Sequence, residues 1–121
     1  MKREEILQVT ENVYNKIIEH YGESKHYNRT PYVSIEDSPY SDEEVPDELY
    51  GEYCSILNEI VLYWKNITSL ELLIRTLLHE YQHYLQSPSW NRRYYNMGYD
   101  YNDHPYEVRA FNEETRWKEF I

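Results

Sequence analysis

The run from Leu70 to Leu85 constrains this chain more than any other stretch. Its apolar residues Leu70, Leu73, Ile74, Leu77, Leu78, Tyr81, Tyr84 and Leu85 recur at the three- and four-residue intervals of a helix with one buried side. Thr68-Ser69-Leu70-Glu71 reads as a capping box, with Thr68 as N-cap and Glu71 reaching back to it, and Gln86-Ser87-Pro88 closes the run. Inside stands His79-Glu80-Tyr81-Gln82-His83, the pattern H-E-x-x-H. Positions i and i+4 of an α-helix are about 40° apart, so the two imidazoles stack one turn above the other and can aim at one point. His79, His83 and Thr76 fall in a sector largely separate from the leucines. A fold built on this helix has to bury the leucine side and leave the histidine side facing a cleft.

Two neutral imidazoles make half of a tetrahedral zinc site, with room for a third protein ligand and a water. Glu80 lies on the flank of the same face, where it reaches that water rather than the ion. Zinc brings the pKa of its water close to neutrality, and a neighbouring carboxylate can take the proton as the water attacks a carbonyl carbon. The expected roles are therefore ligand for His79, base for Glu80 and ligand for His83, with Zn2+ as cofactor. The alternative is a helix that carries two surface histidines and a solvated glutamate, so the surrounding sequence has to decide.

A third ligand is expected from the last helix. Pro105 suits its first turn, and Glu107, Ala110, Phe111, Glu114, Trp117 and Ile121 share one face at helical spacing. Two carboxylates on an otherwise apolar, inward face are costly unless something positive meets them. A zinc ion would supply that charge, which makes Glu107 the expected ligand, although the helix dipole alone would also favour a glutamate there. His104, just before Pro105, competes for the role. Glu114 is placed to hydrogen-bond a ligating histidine. Tyr101, Tyr106 and Arg93 are candidate donors to an oxyanion.

The remaining segments read as supports. Arg3 to Tyr21 sets Ile6, Val9, Val13, Ile17 and Tyr21 at helical spacing, Gly22 follows as a stop, and the helix is expected to lie against a sheet. His20 and His26 read as solvent-facing. Pro31 to Glu36 alternates like a half-buried strand. From Gly51 to Trp64 a hairpin is expected, with runs Tyr53–Ile56 and Ile60–Tyr63 flanking Leu57-Asn58-Glu59; the second run is apolar enough for an interior strand and the first suits an edge. Between Asp37 and Tyr50 the chain is acidic and holds Pro39 and Pro46, an exposed loop that lacks the glycine and final glutamate of an EF-hand. Ser87 to His104 is long, aromatic and turn-rich, a wall or lid of the cleft or a tyrosine-rich surface loop.

With 121 residues the chain is expected to be one domain, 1–121, and a monomer. A net charge of −10 repels phosphates and acidic membranes, so neither nucleic acid nor membrane is an expected partner. The single cysteine, Cys54, leaves no internal disulfide and fits a reducing compartment. No apolar run reaches 18 residues and Met1-Lys2-Arg3-Glu4-Glu5 does not open a signal peptide, so a cytoplasmic location is expected.

In its order of elements the chain resembles the minimal gluzincin-type zinc metallopeptidase domain, as in small SprT-like and ImmA/IrrE-like bacterial and phage proteins. The likeness is carried by Gly51-x-Tyr53, Asn58-x-Ile60-x-Leu62, Leu77-Leu78-His79-Glu80-x-x-His83-Tyr84-Leu85-Gln86 and Pro105-Tyr106-Glu107-x-x-Ala110, over about Tyr32 to the C-terminus. The resemblance implies an α+β zincin fold with an N-terminal helix, a small sheet of three or more strands containing a hairpin, the H-E-x-x-H helix and a glutamate-bearing C-terminal helix. It also implies zinc held by His79, His83 and Glu107, Glu80 as general base, and a protein or peptide substrate. The chain lacks the glycine and histidine that follow the motif in metzincins, and the zinc-finger or DNA-binding extensions of larger relatives. The alternative is a non-catalytic zincin-fold module, such as a phage might encode, that keeps a structural metal and binds another protein. The intact Glu80 favours catalysis, since a binding module has no need of the base.

Overall fold

Along the chain come α1 (Arg3–Tyr21), β1 (Tyr32–Glu36), β2 (Gly51–Cys54), β3 (Glu59–Tyr63), α2 (Leu70–Leu85) and α3 (Pro105–Glu114), an α+β arrangement. These elements come from a computed structural model that describes residues 1–37, 49–86 and 105–121. The acidic stretch at 38–48 and the aromatic connection at 87–104, with Arg93, Tyr101 and His104, lie outside the described residues, as does the side chain of Tyr106.

Helix α1 begins with Glu4 and Glu5 in its first turn, where the helix dipole favours acids, and ends at Gly22. Gly22 sits at φ 76°, a left-handed conformation that costs glycine little, and its N–H caps the Ile18 carbonyl at 2.8 Å. The buried stripe is Ile6, Thr10, Val13 and Ile17. It packs chiefly on α2, not on the sheet as the sequence suggested. The reason is that α2 already covers β2 and β3, and a groove lined by Leu7, Tyr14 and Ile18 of α1 and by Val33 and Ile35 of β1 lies between α1 and the sheet edge. His20 and His26 are both exposed.

The sheet runs β1-β3-β2, with β1 parallel and β2 antiparallel to β3. Val33 lies opposite Ile60 and Ile35 opposite Leu62, so one apolar face turns toward the helices. The central strand holds the most buried of these side chains, Ile60 and Leu62. The hairpin forms, but its first strand ends at Cys54 rather than Ile56, and Cys54 pairs with Glu59. Asn58 explains the shift: it takes the left-handed φ of 49°, which ends the loop at that residue. Its side chain accepts from Tyr53 Oη at 2.8 Å and donates to the Arg29 carbonyl at 2.9 Å. The Arg29 guanidinium in turn donates to the carbonyls of Thr30, Leu57 and Asn58 and stacks over Tyr32. Ile56 and Leu57 are left exposed at the tip.

Helix α2 is capped by Ser69, whose Oγ accepts from the Leu72 N–H at 3.2 Å, and not by Thr68. Glu71 therefore falls inside the first turn and pairs with Arg75 on the surface instead of closing a capping box. From Leu73 to Tyr84 every residue but Arg75 is buried. The helix threads the middle of the fold, with β2 and β3 on one side and α1 and α3 on others. Two of its tyrosines fix it to the end of α1: Tyr81 Oη donates to the Gly22 carbonyl, and Tyr84 Oη accepts from the Ser24 N–H. This is the use of tyrosine that burial allows, ring in the core and hydroxyl on a backbone group.

The expected face from Glu107 to Ile121 does not continue as one helix. It stops at Glu114, a 3-10 turn follows over Trp117–Phe120, and Phe120 enters the core while Ile121 stays exposed. Phe120 stacks beside Tyr21, whose hydroxyl donates to Glu113 at 2.9 Å, and these contacts favour the turn over a straight continuation. Among the described residues no helix is long and apolar enough to cross a membrane.

Two substitutions test this packing by thermal unfolding. Gln82 is fully buried and neither of its amide atoms has a partner among the described residues, so Gln82→Met is expected to stabilise the fold by about 1–3 kcal/mol, a rise of several degrees in Tm. A fall in Tm would show that the amide is satisfied by ordered water. Gly51 has no room for a side chain, since a Cβ there would stand 2.8 Å from the Val61 carbonyl oxygen and from Thr76 Cγ2. Gly51→Ala is expected to lower Tm as β2 is pushed off α2; an unchanged Tm would mean that the two elements are free to separate.

Candidate metal centre

The two histidines of α2 are held on the side of that helix that α3 covers. Both are buried, His79 at 9% exposure and His83 at 7%, and their rings meet edge to face with centroids 4.9 Å apart. Facing them, the first turn of α3 presents Glu107, itself buried. One carboxylate oxygen of Glu107 lies 2.9 Å from His79 Nε2 and the other 3.0 Å from His83 Nε2. Two turns on, Glu114 Oε2 lies 2.8 Å from His79 Nδ1. The sequence-derived ligand candidates on the two helices are thus brought to one place, and so is Glu114.

One contact was not foreseen. Gln86 Oε1 lies 3.1 Å from His83 Nδ1, so that each imidazole has an oxygen behind it, a carboxylate for one and an amide for the other. The signal available was position: Gln86 follows His83 by three residues, as α2 ends. Phe111, one turn along α3 from Glu107, sets its ring edge-on to His79 with centroids 4.8 Å apart and is still 41% exposed.

Glu80 completes the group. Ligand atoms of His79, Glu80 and His83 all lie within 4.8 Å of one another, and all three residues are buried. A buried His-Glu-His group of this kind can hold a metal ion. Glu107 strengthens that reading, because its two carboxylate oxygens bridge both Nε2 atoms. When a ring is neutral and its Nδ1–H donates to the oxygen behind it, its Nε2 lone pair faces the carboxylate. Contacts of this length between a lone pair and a carboxylate need positive charge between them, from a proton or from a metal ion. The donor set, two imidazoles and one carboxylate with supporting oxygens behind, fits zinc or another divalent ion of similar preference.

The electrostatics follow from the same geometry. Burial acts to lower the pKa of His79, but hydrogen bonds to Glu107 and Glu114 and the charge of Glu80 outweigh it and hold the ring at about 10. Burial acts to raise Glu107, yet its bonds to His79 and His83 bring it down to about 2. Glu80 behaves differently: burial pushes its carboxyl up to about 7, against the pull of the two histidines. The carboxyls of Glu80 and Glu107 are thus driven in opposite directions by their surroundings, as groups with divided roles often are. A cavity of about 330 Å³ opens beside His79 and Glu80.

Comparison of the chain with protein-family models, with curated proteins and with solved structures gives no match. The cluster is compatible with a zincin motif by its spacing and its helix.

The pKa shifts fix the pH dependence of the metal-free protein. Folding raises His79 from 6.5 to about 10 and Glu80 from 4.5 to about 7, so the stability tied to these protons is lost as pH climbs through those ranges. Folding lowers Glu107 from 4.5 to about 2, so its contribution holds above the higher value and is lost as pH falls toward the lower. In the presence of a chelator, Tm is expected to peak near pH 5, between these ranges, and to decline on either side. Added zinc competes with protons for the imidazoles, so its stabilising effect is expected to grow from pH 5 to pH 8. A chelated protein whose Tm rises steadily up to pH 9 would contradict this arrangement of charges.

Proposed function

We propose that the chain is a zinc-dependent peptidase, in which His79, His83 and Glu107 hold the metal and Glu80 is the general base. The observation that carries the reading is Glu107, delivered by the last helix to both Nε2 atoms of the H-E-x-x-H pair. A bound zinc ion supplies Lewis acidity, which acidifies water and polarises a carbonyl. Glu114 and Gln86 orient the two rings from behind, keeping the Nε2 lone pairs on the cleft side. Glu80, buried and flanked by the two histidines along α2, would take a proton from the attacking water and hand it to the departing amine. A substrate backbone would be read in extended form along β2, which pairs with β3 on one side and has no other strand beside it among the described residues.

A non-catalytic module with a structural metal is the second reading. Glu80 separates the two, since a structural metal has no use for a general base beside it.

Metal content of the purified protein, measured for wild type and variants side by side, tests the ligand set. About one zinc per chain is expected for wild type and for His104→Ala, and none for Glu107→Ala. Glu114→Ala is expected to bind zinc about 10- to 100-fold more weakly. Glu80→Gln is expected to keep the metal and to lose cleavage of casein by about 100-fold or more. No binding even with zinc supplied would remove the reading altogether, and full metal occupancy without any cleavage by wild type would leave the binding module.

A further inference from the structure

The sheet ends at β1, which pairs with β3 and has no second strand beside it among the described residues. Tyr32 donates its N–H to the Asn58 carbonyl at 3.3 Å, and in an extended chain successive residues turn their backbone groups to alternate sides. The N–H and C=O of Val33 and Ile35 are therefore directed away from β3, toward the open edge. A groove of about 540 Å³ separates α1 from this edge, so the helix stands off from the strand. Tyr32, the first residue of β1, is 68% exposed.

The edge complements itself when a second β1 is laid against it in the opposite direction. Centred on Ser34, the pairing sets Val33 opposite Ile35 of the second copy, and the outward backbone groups of both then meet in two hydrogen-bonded pairs. The same register places Tyr32 opposite Glu36 of the second copy. The Arg29 guanidinium lies over the Tyr32 ring, 4.1 Å from its centre, and is fixed there by the carbonyls of Thr30, Leu57 and Asn58. Those partners are neutral, so the charge of Arg29 is held beside the position that the incoming Glu36 takes. Ser34 falls on the symmetry axis, opposite its own copy. Its Oγ is buried and has no partner among the described residues, and the facing serine offers one.

We propose that the chain forms a two-fold symmetric dimer through β1, in place of the monomer expected from its length, with the two sheets joined into one of six strands. Such an interface is isologous: each copy gives Arg29 and Tyr32 and receives Glu36. Register is defined as well as direction, because a slip of one residue turns Val33 and Ile35 to the wrong face. Dimerisation also covers an edge that otherwise invites uncontrolled pairing. The strand that borders the cavity beside His79, β2, lies at the opposite end of the sheet, so the candidate metal centre of each copy stays open. The dimer is accordingly independent of the peptidase reading.

Sedimentation equilibrium of the full chain over a range of concentrations, with chelator present, tests the association. The wild type is expected to approach twice the mass of one chain as concentration rises. Val33→Pro removes an outward N–H, a change that edge strands tolerate, and is expected to remain monomeric with its fold kept. Glu36→Arg sets like charges together at two symmetric contacts and is expected to weaken the dimer on the order of 10-fold. Adding Arg29→Glu to it is expected to restore association. Arg29 also braces the hairpin, so a cross-link supplies a test that spares it. In a Cys54→Ser background, Ser34→Cys is expected to form an intermolecular disulfide with oxidised glutathione, since facing residues of this kind of pair lie at disulfide distance. Glu36→Cys, opposite Tyr32 of the second copy, is expected not to. A wild type that stays monomeric at every concentration and a Ser34→Cys variant that does not cross-link would overturn the proposal. A dimer indifferent to both Val33→Pro and Glu36→Arg would overturn it too, as would equal cross-linking at positions 34 and 36.

Discussion

The contact on which this structure depends most is the carboxylate of Glu107 between two imidazoles. It joins the start of the last helix to the middle of the longest-buried one, and it does so with charge rather than with apolar area. Buried ionisable groups are tolerated only where each has a partner, and among the described residues the partners here include Glu107 on both rings and Glu114 and Gln86 behind them. Removing any one member leaves the others in a poor dielectric with unmet charge. The centre is for that reason also a joint of the fold, and the position of α3 follows from it as much as from Ala110 and Phe120 in the core.

Much of this architecture could be read from local pattern. The limits of α1, the apolar run of β3 and the stripe of α2 are all statements about periodicity, which needs no knowledge of neighbours. The meeting of Glu107 and Glu114 with His79 followed from a cost: two acids on an inward face require positive charge. The parts that were misread depend on tertiary detail. Thr68 and Ser69 are both competent caps, and the choice between them rests on a backbone conformation that adjacent hydroxyl residues do not reveal. The hairpin's register is set by Asn58 together with Arg29, a residue from a different connection. The end of α3 depends on Phe120 finding Tyr21, nearly the whole chain away. Gln86 acquires its contact only from the way α2 terminates, and α1 was assigned to the sheet because nothing in its own sequence shows that α2 lies between.

The sheet contributes less to the core than its place in the fold suggests. Three short strands supply Ile60 and Leu62 at full burial, with Val33 and Ile35 partly covered, and the rest of the interior comes from helices and aromatic rings. What the sheet provides is a rigid backbone close to α2 and the candidate metal centre. Gly51 makes this possible: without a Cβ, β2 can lie directly against Thr76, so that its strand edge and the histidine face of α2 border the same cavity.

The near-total burial of α2 has a consequence for how such a chain can vary. His79 and His83 alternate with Leu78, Tyr81 and Tyr84, all of them core residues. A change that loosens packing around Tyr81 tilts the imidazoles, and a change to an imidazole opens the interior. The candidate metal centre and the fold therefore draw on the same residues, and neither can drift without the other. Diversification is confined to side chains that border the centre without belonging to the core, such as the open ring of Phe111 and the half-covered Leu72. Related chains that keep this helix nearly unchanged could differ widely in what they accept by altering a handful of positions around its rim.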